Sequence, residues 1–169
     1  VAILVACGQS KPTDEPEPEA VSIDLIQIAA GGFTFDARAA GPEDGEPVIL
    51  LHGFPQTSME YSHQLQALGE AGYRAVAPNQ RGYSPGARPA DTQAYVLVNL
   101  LSDVLAIADA LGFERFHLVG HDWGASVAWF MGVFAPTRLL TLNPISVPHL
   151  DAFALTRNDP ESCQYSASS

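Results

Sequence analysis

Asp122 sits at the centre of Gly120-His121-Asp122-Trp123-Gly124, where one apolar run ends and another begins. Phe116-His117-Leu118-Val119 before it reads as a buried strand, and residues 125–134 after it as a helix that is apolar almost all round. Glycines two residues to either side are what a tight strand-to-helix turn requires, because side chains there would collide. A carboxylate at the apex of such a turn is a candidate nucleophile. Attack on an ester would give an anhydride, a poor product, whereas attack on an sp3 carbon bearing a leaving group gives an ordinary alkyl ester on the protein. The helix N-terminus that follows favours the ionised form through its dipole and N–H donors. The plainer reading of Asp122 is a helix N-cap, where Asp is a preferred residue.

A second cluster, His52-Gly53-Phe54-Pro55, ends the apolar run Pro47-Val48-Ile49-Leu50-Leu51. An apolar run without alternation marks a strand covered on both faces in a parallel sheet. Loops at the C-terminal ends of such strands are where a doubly wound sheet places its sites. Taken alone, the four residues fit equally a Gly-Pro turn that merely leaves a strand.

The elements that must position both clusters alternate along the chain. Residues 21–28 and 33–38 read as a hairpin about Gly31-Gly32. Strand 47–51, helix 61–71 and strand 74–77 follow. A helix over about 95–111 comes next, with Leu97, Leu101, Val104, Ala108 and Leu111 at helical spacing before Gly112 stops it. The strand before Asp122, its helix and a strand at 139–142 complete a βαβ order. The fold class is therefore α/β, with a mostly parallel, doubly wound sheet. At 169 residues and 47% hydrophobic, the chain can bury one sizeable core. A net charge of −11, with no cluster of Lys or Arg, argues against a nucleic-acid partner. The two cysteines, Cys7 and Cys163, fall outside the expected core, and no Cys/His cluster suggests a metal.

The elbow around Asp122 and the His52–Pro55 cluster resemble motifs of the α/β-hydrolase superfamily, and over about residues 21–160 the chain is similar to the branch whose elbow carries Asp. That branch contains epoxide hydrolases and haloalkane dehalogenases. The resemblance implies that Asp122 is the nucleophile and that the backbone N–H groups of Phe54 and Trp123 form an oxyanion hole, with His52, Gly53, Pro55, Gly120, His121 and Gly124 supporting the two motifs. It implies no metal or organic cofactor, and a small-molecule epoxide or halide as substrate. Many haloalkane dehalogenases have Asn where this chain has Phe54, whose side chain cannot donate to a halide, so the epoxide reading is favoured. Trp123 keeps the halide reading open through its indole N–H. A reading of another class is a non-catalytic, lipid-anchored binding domain.

Several other residues invite over-reading. His121 neighbours the nucleophile, but adjacent strand residues face opposite ways, so a packing or hydrogen-bonding role is expected. Ser126 imitates a serine elbow but falls inside the helix. His63 and His117 read as satisfied structural histidines, and Arg81-Gly82-Tyr83-Ser84-Pro85-Gly86 as a structural loop. Tyr61, Tyr83 and Tyr95 precede the cap that the resemblance implies, so none is expected to donate a proton.

The two ends carry expectations of their own. Leu4-Val5-Ala6-Cys7 resembles a bacterial lipobox, which makes residues 1–7 the remnant of a signal peptide and Cys7 a lipidation site. The acidic, proline-punctuated residues 8–20 then read as a disordered tether to a cell-envelope or periplasmic membrane. Residues 21–150 form the N-terminal part of the hydrolase core and 151–169 the start of a cap. Asn143 stands where some dehalogenases keep their acid and cannot serve as one. The chain is accordingly expected to be a fragment, inactive alone, truncated before most of the cap, the last strands, the distal acid and the histidine base.

Overall fold

The computed structural model describes residues 21–149, 151–152 and 154–155. The expected leader remnant, Cys7, the tether and most of the expected cap segment lie outside the described residues.

Strands β1 (Ile23–Ala30) and β2 (Phe33–Ala40) pair antiparallel and close on Gly31 and Gly32. Both glycines have positive φ, 57° and 82°, the geometry that a two-residue hairpin needs and that side chains resist. Strand β3 (Glu46–Leu51), helix α1 (Ser62–Glu70), strand β4 (Tyr73–Pro78), helix α2 (Leu97–Ala110), strand β5 (Phe116–His121), helix α3 (Trp123–Phe134) and strand β6 (Leu139–Ile145) follow. The sheet order is β1-β2-β4-β3-β5-β6, antiparallel up to β4 and parallel from there on. The chain therefore leaves β3 towards β4 on one side and returns to β5 on the other. The C-terminal ends of β3 and β5 flank the switch point, where a crevice opens in sheets of this kind.

Both faces of the central strands are covered. Val48, Leu50, Ala75 and Ala77 pack under α1 with Tyr61 and Leu65. Ile49, Leu51, Val76, Phe116 and Leu118 pack on the other face with Leu101, Val104, Ile107, Val127 and Met131 of α2 and α3. Successive strand residues point to opposite faces, so two covered faces demand an unbroken apolar run.

Two boundaries differ from those the sequence suggests. Val96 is extended, at φ −64° and ψ 149°, and separates α2 from a short 3-10 helix, Thr92–Tyr95, that Asp91 caps through Gln93 N–H. Strand β6 runs three residues past Leu142, to Ile145, and carries Pro144 opposite Gly120. Among the described residues β6 pairs only with β5, and a strand paired on one side tolerates a proline.

The loop after β4 is fastened by a buried ion pair. Arg81 donates to Asp103 through Nε (2.7 Å) and NH2 (2.6 Å), donates to Ala94 O (2.8 Å), and lies over the Phe33 ring. Ser84 completes the loop by donating to Asn79 O and accepting from Asp36 N–H. Removing one partner of a buried pair strands the other charge, so Asp103→Ala should lower the unfolding free energy by about 3–5 kcal/mol. Denaturant titration checks this.

Candidate active site

Strand β5 ends at His121, and α3 starts at Trp123, leaving a single residue for the turn. That residue, Asp122, has φ 51° and ψ −116°, a strained conformation for a side chain and one costing about 1–3 kcal/mol. Its backbone is fixed on both sides: its N–H donates to Ile145 O (3.3 Å) and its carbonyl accepts from Ser126 N–H (3.1 Å) in the first turn of α3. The glycines follow from the packing. A Cβ at Gly120 would overlap the Gly124 carbonyl, and one at Gly124 would overlap the carbonyls of Leu51 and His52. A Cβ on Gly53 would lie 2.6 Å from that of Asp122, so the two loops touch.

The Asp122 side chain makes no capping bond to its own helix. Instead Oδ1 accepts from Phe54 N–H at 3.0 Å, across the crevice between the ends of β3 and β5. The Phe54 N–H holds the carboxyl below the usual aspartate range. Trp123 N–H and the neighbouring His121 add to this, and partial burial opposes it. One backbone hydrogen bond, from Phe54, therefore reaches a partly exposed carboxylate, and the Trp123 N–H favours its charged form further.

The Phe54 donor is placed by the residues before it. His52 is buried; its Nε2 accepts from Gln80 N–H (3.0 Å), so its proton sits on Nδ1, which donates to Gly53 O (2.9 Å). The Gln80 side chain in turn donates to His52 O (2.5 Å), and the edge of Tyr83 packs on the imidazole. Glu60, in the 3-10 helix Ser58–Tyr61, accepts from Gly53 N–H (3.3 Å). Pro55 follows Phe54 through a cis peptide.

A pocket of about 230 Å³ opens beside this array, lined by Phe54, Trp123, Tyr83, Tyr95 and Leu100 among others. Phe54 and Trp123 expose most of their rings, 68% and 60%, at its mouth. Tyr83 contributes a phenol whose pKa is raised by burial and, secondarily, by the Asp122 charge, so it stays protonated. Tyr83, expected to be part of a structural loop, lines the pocket, and Gln80 and Glu60 carried no expectation; Gln80 and Tyr83 lie just past the end of β4, a strand end where sites of this kind of sheet gather.

The remaining candidates lie elsewhere. Tyr61 is buried under the sheet and donates to Leu51 O. Tyr95 lines the pocket, but its hydroxyl donates to Pro89 O. His117 bridges Thr141 and Glu46, whereas His63 is exposed on α1, contrary to the expectation of a satisfied histidine, because its helix turns it away from the sheet. Ser126 lies within α3. Asn143 donates to Thr141, and His149 packs against Trp129. Among the described residues, no histidine hydrogen-bonds to Asp122 and no His/Cys/Asp/Glu cluster could hold a metal.

Burial holds His52 neutral by lowering its pKa from 6.5, against a smaller pull from its bond to Gly53. The unfolded chain takes up this proton first, so the contribution is complete above about pH 6.5 and is lost as pH falls through the lower folded value. Histidine NMR should show the Nδ1–H tautomer and a His52 midpoint below 6.5, with unfolding free energy declining over the same window.

The family model of the α/β hydrolase fold matches residues 46–160. Epoxide hydrolase 3 of Siraitia grosvenorii is 40% identical over 125 residues, which are 74% of this chain and 39% of that protein. Epoxide hydrolase A of Mycobacterium tuberculosis is 42% identical over 109 residues, 64% of this chain and 34% of its own length. The crystal structure of epoxide hydrolase VrEH1 from Vigna radiata superposes with a TM-score of 0.66 at 37% identity, covering 69% of this chain and 38% of that one. The chain thus spans about two-fifths or less of these relatives. Its elbow, its sheet order and the matched residues 46–160 together make it a member of the α/β-hydrolase fold family.

Proposed function

We propose that the chain carries the nucleophile half of a hydrolase that opens epoxides to diols through an alkyl ester on Asp122. The observation that carries this reading is the Asp122 carboxylate, on a strained turn, accepting from Phe54 N–H while Trp123 N–H also reaches it. The names borne by the relatives supply the substrate class.

The chemistry divides into two displacements. In the first, the Asp122 oxygen not held by Phe54 attacks an epoxide carbon; a C–O bond forms, the ring C–O bond breaks, and the leaving oxygen takes a proton from an acid. In the second, water attacks the ester carbonyl carbon and gives its proton to a base. Negative charge then collects on the carbonyl oxygen, where Phe54 and Trp123 N–H groups stabilise it without reorganising. Collapse expels the diol and restores the carboxylate. The acid and base belong to the whole protein and are part of the proposal, not of the described residues.

A halide reading keeps one observation in its favour. The Trp123 indole is exposed at the pocket mouth, and its N–H has no partner among the described residues. The Phe54 side chain offers no second donor.

The oxygen balance provides the test. In a single turnover of the complete protein in H₂¹⁸O, the label should enter the Asp122 peptide and leave the first diol unlabelled. A labelled diol with an unlabelled Asp122 would contradict the covalent route, and halide release from an alkyl halide with no epoxide opening would replace the substrate class.

A further inference from the structure

Glu60 touches both halves of the site without lining the pocket. Its Oε2 accepts from Gly53 N–H at 3.3 Å, and its Oε1 lies 2.5 Å from His121 Nδ1. Gly53 immediately precedes the donor Phe54, and His121 immediately precedes Asp122. One carboxylate thus grips the residue before each partner of the 3.0 Å Phe54–Asp122 hydrogen bond. The contact with His121 is close, although it is poorly aligned as a hydrogen bond. Both side chains are largely shielded, 18% and 28% exposed.

The bridge answers a geometric need. The two loops are in van der Waals contact at Gly53 and Asp122, yet among the described residues no backbone–backbone hydrogen bond links Gly53 or Phe54 to the turn. Asp122 is strained, and strained residues persist only where their surroundings over-determine them. Other charged or titratable groups close by are His52 and Tyr61, and both keep separate partners, Gln80 and Leu51 O.

We propose that Glu60 is a positioning residue, a brace that holds Phe54 N–H in register with the Asp122 carboxylate by binding Gly53 and His121 at once. This rests on the reading of Asp122 as nucleophile, and it extends the machinery to a residue that does not touch substrate.

Amide hydrogen exchange in the protein tests it, with Ile49 in β3 reporting global opening. Glu60→Ala should speed exchange of Phe54 N–H by about tenfold or more relative to Ile49, the loss of a charge-assisted bond. Glu60→Asp, too short to reach both partners, should do the same in a chain that keeps its charge and its fold. Glu60→Gln, which retains an oxygen for Gly53 N–H, should restore much of the protection. Equal acceleration of Phe54 and Ile49 would make Glu60 merely structural and overturn the proposal, as would an unchanged Phe54. Exchange needs no turnover, so this result and the isotope result fail independently.

Discussion

The hydrogen bond from Phe54 N–H to Asp122 joins the loop after β3 to the turn after β5, and the surrounding sequence is arranged so that the two can meet. Gly53 leaves room for the Asp122 side chain; Gly120 and Gly124 let the turn close against itself and against the end of β3. The strain at Asp122 costs about 1–3 kcal/mol. A hydrogen bond to a charged group contributes about 1.5–3 kcal/mol, so the Phe54 donor is of the size needed to hold it. The strain in turn aims the carboxylate across the crevice and away from its own helix, where an ordinary N-cap would turn it inwards.

Polarity around this bond is sorted by burial. Arg81 and Asp103 neutralise each other beneath the loop after β4, and His52 is kept neutral where it is most enclosed. The Asp122 carboxylate lies at the edge of the pocket, where N–H donors keep it ionised and exposure keeps one oxygen accessible. A carboxylate held this way is ionised at neutral pH with no nearby base to deprotonate it. What it needs is a fixed partner, and the Phe54 N–H at the end of β3 is one.

The fold and the two loops were legible because their demands are local. An unbroken apolar run at residues 48–51 announces a strand covered on both faces, and glycines flanking Asp122 announce a tight turn. The extension of β6 was not legible, because Asn143-Pro144-Ile145 carries no strand signal of its own and gains its conformation from pairing with β5. Glu60 was hidden for a related reason: it reaches the site from a 3-10 turn whose position depends on the packing of distant segments. The inward position of Asp103 on α2 follows from the buried guanidinium of Arg81, a pairing that helical spacing alone does not reveal.

The central claim is that the cradled carboxylate is itself the reacting atom, and rapid quenching of the complete protein after mixing with styrene oxide tests it most directly. A transient increase in mass equal to the epoxide, located by peptide mapping on Asp122 and absent from Asp122→Ala, is the predicted result. Diol formation with no adduct at any quench time, or with the adduct on another residue such as Ser126, would contradict the account.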